Sequence, residues 1–120
     1  MVKVLPSLRE KKRYIIFKVH SNEKLDYASM HNAAWNSLLN WLGERDLSKA
    51  NVRIIKNLWD PNKQIGFIQC SPKFVDSVKV SLGLVHQIGD QRVIFQTLRV
   101  SGTIKSGKTK LGLNKTKTNK

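Results

Sequence analysis

Residues 51–70 read NVRIIKNLWDPNKQIGFIQC. Two apolar, β-branched runs, Asn51 to Trp59 and Gln64 to Cys70, flank the turn cluster Asp60-Pro61-Asn62-Lys63. Nothing of helical length separates the runs, so they predict an antiparallel hairpin. Topology turns on that hairpin because of its neighbours. Upstream, Asp26 to Leu42 predicts a long helix. Asp26 is the expected cap, Tyr27, Met30, Ala34, Leu38 and Trp41 form a stripe at i, i+3/i+4 spacing, and Gly43 is the expected stop. Trp35, Leu39 and Leu42 widen the stripe. Before the helix, Tyr14 to His20 (YIIFKVH) reads as a strand. Downstream, Ser71-Pro72 predicts a second helix start, with Phe74, Val75, Val78, Leu82 and Val85 as its apolar stripe. Gly89-Asp90 reads as a turn, and Arg92 to Ser101 as a last strand.

The order is β-α-β-β-α-β. It predicts an α+β, ferredoxin-like sandwich, the arrangement shared with RNA-recognition modules: an antiparallel four-stranded sheet with both helices on one face. The organisation expected is a basic N-terminal segment over 1–13, the domain over 14–104, and a lysine-rich tail over 105–120 whose composition predicts disorder. Ile16, Ile55, Ile65, Ile94 and Leu98 cannot all share the inner sheet face with their neighbours. The outer face is therefore expected to be partly apolar, which predicts a protein partner there.

Charge is distributed unevenly. The chain of 120 residues carries a net +14. Residues 1–13 hold Lys3, Arg9, Lys11, Lys12 and Arg13 against Glu10 alone, and residues 102–120 hold six lysines and no acid. An excess of this kind attracts polyanions and is the electrostatic footprint of nucleic-acid binding. In the expected topology the start of the first strand lies beside the end of the fourth, so the two cationic segments should converge. The residues assigned to RNA on this reading are Arg9, Lys11, Lys12, Arg13, Arg99, Lys105 and Lys108 as cations, with Ser101, Gly102 and Thr103 supplying N–H and hydroxyl groups.

Other chemistries find less support. Gly102 to Thr109 (GTIKSGKT) spells the phosphate-loop pattern GxxxxGK[ST]. That loop needs a following helix and a parallel sheet, and Lys110-Leu111-Gly112 is a poor helix start. His20, His31 and His86 fall on separate elements without metal-ligand spacing. The lone Cys70 reads as a small hydrophobe in a strand, which fits a reducing, cytoplasmic setting. The third strand carries one aromatic and lacks the basic-Gly-aromatic pattern by which RNA-recognition modules stack bases. The lysine clusters have no apolar helical face, so membrane binding is not expected. No catalytic pair is suggested.

The segments Leu8-Arg9-Glu10-Lys11-Lys12-Arg13-Tyr14-Ile15, Lys49 to Ile55, Gly66 to Ser71 and Val100-Ser101-Gly102-Thr103-Ile104-Lys105 together resemble the archaeal and eukaryotic ribonuclease P protein component 2 family, over roughly residues 5–105. The resemblance implies a protein without its own active site. It would assist a catalytic RNA that removes the 5′ leader of precursor tRNA, with Mg²⁺ held by the RNA and no cofactor on this chain. The implied partners are ribonuclease P RNA, ribonuclease P protein component 3, other ribonuclease P proteins and a second copy of the chain. The residues alone also admit a general structured-RNA-binding or ribosome-associated protein, and a protein-interaction module of the same fold.

Overall fold

The central strand comes first in the chain. In the computed structural model, which describes residues 12–104, β1 (Arg13–Ser21) is followed by α1 (Tyr27–Ala50), β2 (Arg53–Ile54), β3 (Ile65–Cys70), α2 (Val75–Gly83), β4 (Gln87–Ile88) and β5 (Gln91–Ser101). The sheet order is β2-β3-β1-β5-β4, with every named pair antiparallel. This is the expected arrangement with one addition. A two-residue strand, β4, folds back on β5 and makes five strands where four were predicted.

Register sorts the side chains. Ile54, Ile68, Ile15 and Val100 stand opposite one another across four strands and belong to the core under the helices. That core includes Phe17, Val19, Met30, Ala34, Leu38, Val78, Leu82 and Phe95. Trp41, expected on the buried stripe, is instead 51% exposed. Leu42 is the residue of that turn packed against the core, because the stripe drifts around the helix by the time it reaches residue 41.

Two elements differ from expectation in length. Asp26 caps α1 as predicted, its Oδ1 accepting from the Ser29 amide at 3.1 Å. Gly43 breaks the helix at φ +79°, ψ 165°, but the chain then re-enters helix as far as Ala50, since Leu47 and Ala50 are buried beyond the break. The helix finally ends at Asn51, which adopts the left-handed conformation. The predicted strand from Asn51 to Trp59 shrinks to Arg53–Ile54. Ile55 gives one more sheet bond, its N–H donating to the Phe67 carbonyl at 3.0 Å, and Lys56–Leu58 coil into a 3-10 turn. That turn folds over the outer sheet face.

The outer face is accordingly not left bare. Ile16, Ile65 and Phe67 form a second buried cluster, covered by Ile55, Leu58, Leu98, Tyr14 and Ile104. The chain itself supplies much of the cover that was expected from a protein partner. Ile94 is the large apolar side chain of this face that stays open, at 65% exposure.

Gln64 locks the end of β1 to the hairpin. It takes a left-handed conformation (φ 55°) and is buried. Its carboxamide donates to the Val19 carbonyl and the Ser21 hydroxyl at 3.0 Å each and accepts from the Leu25 amide at 2.6 Å.

Candidate nucleic-acid interface

The two ends of the domain meet. β1 opens at Arg13 and β5 closes at Ser101, and Tyr14 is the register partner of Ser101. A Cβ placed on Gly102 would lie 3.9 Å from Arg13 Nη1. Lys12, Arg13, Ser101, Gly102 and Thr103 are thus gathered at one end of the sheet. Arg9, Lys11, Lys105 and Lys108 lie outside the described residues, as does the phosphate-loop spelling after Ile104.

Local structure shapes this end. Arg13 Nη1 donates to the Lys12 carbonyl at 2.9 Å. The Ser101 hydroxyl donates to the Thr103 carbonyl at 2.8 Å and accepts from the Thr103 amide at 3.3 Å, forming a serine turn that bends the chain out of β5. Ser101 is buried, so its hydroxyl shapes the exit and is not presented to solvent. Gly102 and Thr103 are exposed on the bend.

Arg99 reaches the outer face through a bulge. β1 pairs Ile16 with Arg99 but Phe17 with Thr97, leaving Leu98 as the extra residue. Leu98 packs in the outer cluster with Ile16, and Arg99 stands opposite Ile16, so two successive residues share one face. Arg99 Nε is buried with no hydrogen-bond partner among the described residues, and the same holds for Trp59 Nε1.

The register brings in residues that charge clustering alone misses. Arg53, Gln69 and Tyr14 are direct cross-strand neighbours on the outer face. Beside them a cavity of about 450 Å³ is lined by Lys12, Arg53 and Gln69, with Asn51, Val52, Cys70 and Ser71. Arg53 is exposed there and adds a cation to the same end of the sheet. A sequence signal for Arg53 existed in its alternation with Ile54, but not one for its place beside Tyr14.

Conventional base stacking on β3 is closed off. Phe67, the β3 aromatic, is 1% exposed beneath the outer cluster. Cys70 is buried, and burial pushes its thiol up to about 11, so it stays protonated and unreactive at neutral pH. Among the described residues no group of three His, Cys, Asp or Glu side chains is placed to hold a metal ion. No described helix is long and apolar enough to cross a membrane.

Comparison with known proteins places this architecture. The model of the Rpp14/Pop5 family matches residues 13–111. The chain belongs to the Rpp14/Pop5 family. Among its relatives, ribonuclease P protein component 2 of Pyrococcus furiosus is 43% identical over 105 residues, spanning 88% of this chain and 86% of the relative. The Methanocaldococcus jannaschii protein of the same name is 38% identical over 119 residues, spanning 98% and 86%. The Archaeoglobus fulgidus protein of that name is 37% identical, spanning 88% and 92%. In structure, a chain of yeast ribonuclease MRP matches with a TM-score of 0.60 at 11% identity, over 79% of this chain and 76% of that one. The last likeness is one of fold. Within the Rpp14/Pop5 family match lie Arg13, Arg53, Gln69 and Arg99.

Proposed function

We propose that this chain is a protein subunit of ribonuclease P, binding and activating the catalytic RNA that removes the 5′ leader of precursor tRNA. Membership of a family whose archaeal relatives carry that name is the observation that supports it. The physical reading agrees in kind, since Lys12 and Arg13 stand where β5 ends, at the exit to the lysine-rich stretch. In this reading Arg9, Lys11, Lys12, Arg13, Arg99, Lys105 and Lys108 neutralise phosphates where RNA segments crowd together. Gly102 and Thr103 add contacts from the bend that Ser101 shapes. Neutralisation lowers the electrostatic cost of the compact RNA and with it the Mg²⁺ needed to reach that state. Such contacts position RNA without reading its sequence.

The protein acts inside a ribonucleoprotein. Its proposed neighbours are ribonuclease P RNA, ribonuclease P protein component 3, further ribonuclease P proteins and a second copy of itself, with Mg²⁺ carried by the RNA. The test is recovery of the tagged full chain from its native cells at low salt, followed by identification of the bound RNA and proteins. Recovery of ribonuclease P RNA with component 3 is expected. Recovery of many unrelated RNAs would favour a general structured-RNA-binding protein and overturn the proposal.

A further inference from the structure

The outer-face row at the cationic end has the makings of a site for one nucleotide. Arg53, Gln69 and Tyr14 stand side by side on β2, β3 and β1, and two of them, Arg53 and Gln69, line the cavity with Lys12. Gln69 is largely buried and lines that cavity. One row away, on the other side of β1, Arg99 Nε is buried without a partner among the described residues. Buried polar groups in folded proteins are nearly always paired, so the unmet Arg99 Nε marks this face as one that takes an external partner. Tyr14 is half-buried, held from one side by the outer cluster. A tyrosine fixed in that way offers a stacking surface at little entropic cost.

The chemistry of the row selects the ligand. Two cations, Lys12 and Arg53, suit a phosphate. An amide carries both donor and acceptor and suits the edge of a nucleobase. An aromatic face suits its plane. We infer that the notch lined by Lys12, Arg53 and Gln69, with Tyr14 as the cross-strand neighbour of Gln69, receives a single unpaired ribonucleotide of a structured RNA, the base stacking on Tyr14 and meeting Gln69, with its phosphate between Lys12 and Arg53. This rests on the RNA-binding reading above and adds a site of stated geometry to it. It also differs from the RNA-recognition mode, whose β3 platform is here covered by the 3-10 turn.

The test compares two RNA hairpins, identical except that one carries a single bulged 2-aminopurine. The full chain should bind the bulged hairpin about ten-fold more tightly and quench its fluorescence, as expected for one stacked base. Tyr14→Leu, which keeps an apolar side chain against the outer cluster, should abolish both the preference and the quenching. Gln69→Leu should abolish the preference. Tyr14→Phe should keep both. In all three variants binding to the fully paired hairpin and its salt dependence should stay as in the parent. Equal affinity of the parent for both hairpins, with salt-dependent binding intact, overturns the notch and leaves the RNA-binding reading standing. Absence of salt-dependent binding to either hairpin overturns that reading and the notch with it.

Discussion

Gly66 shows how tightly single positions are constrained. It pairs with Phe17, and a Cβ there would meet Phe17 Cζ at 2.7 Å and Trp59 Cε3 at 3.0 Å. The Phe17 ring cannot swing aside, because it stacks on Phe95 at 5.6 Å and on Trp59 at 6.4 Å between centroids. Gly66→Ala is therefore overpacking in a closed aromatic stack. It should lower stability by about 1–3 kcal/mol, read from urea unfolding, with little change in the native circular dichroism. Nothing in the local sequence marks Gly66 as tight. The run Gln64 to Cys70 reads as a strand whether or not an aromatic ring crosses its second residue. What decides the matter is the partner strand, some distance away in sequence.

At the scale of elements, α1 carries two separable predictions. Gly43 sits at φ +79° and ψ 165°, a region essentially closed to residues with a Cβ, while open space surrounds the position. Gly43→Ala should thus cost about 1–3 kcal/mol through the backbone alone. Gly83, in the last turn of α2, also has open space around it and no positive φ, so Gly83→Ala should gain up to about 1 kcal/mol. Thermal melts of the pair should move in opposite directions. The cap gives the second prediction. The Ser29 side chain and amide hold the Asp26 carboxyl below its ordinary value of 3.8. A carboxyl depressed on folding contributes stability above its unfolded value and loses it as pH falls through the folded one. Acid unfolding of the parent should therefore include a loss below about 3.8 that Asp26→Asn, which keeps the cap oxygen, does not show.

The same elements show what the sequence makes legible. The start of α1 could be read because its cap is local chemistry. Its end could not, since the glycine signal is genuine but burial of Leu47 and Ala50 carries the helix past it. The strand expected over 51–59 has an apolar composition that serves two surfaces. Ile54 enters the main core, while Ile55 and Leu58 turn over to cover the outer cluster. Composition counts apolar residues without saying which surface they seal. The strand β4, two residues long, has no periodicity to detect.

For the whole molecule, the described charges are unevenly placed. Tyr27 to Gly43 of α1 contains no Lys, Arg, Asp or Glu, whereas Lys12, Arg13, Arg53 and Arg99 cluster at and around one sheet end. Salt dependence of RNA binding should follow that division. Lys11→Ala with Lys12→Ala should weaken association and reduce the slope of log affinity against log salt by about one for each phosphate no longer neutralised. Lys79→Ala, exposed on α2, should leave the slope unchanged. The meeting of the domain's two ends was legible, because the strand order alone brings the first strand's start to the last strand's end. The row of Arg53, Gln69 and Tyr14 was not, since cross-strand neighbours depend on a register that no single strand encodes.

The position of β1 has a consequence for how the protein is made. This strand is needed on both sides, by β3 and by β5, and Tyr14 waits for Ser101 as its partner. During synthesis Ile15, Ile16 and Phe17 emerge early, yet one of their edges stays unsatisfied until β5 has left the ribosome. Such a nascent chain presents a sticky strand until β5 emerges, a state prone to mispairing with its neighbours. Closure is then a long-range event, and pairing of that kind slows folding relative to the local formation of a helix.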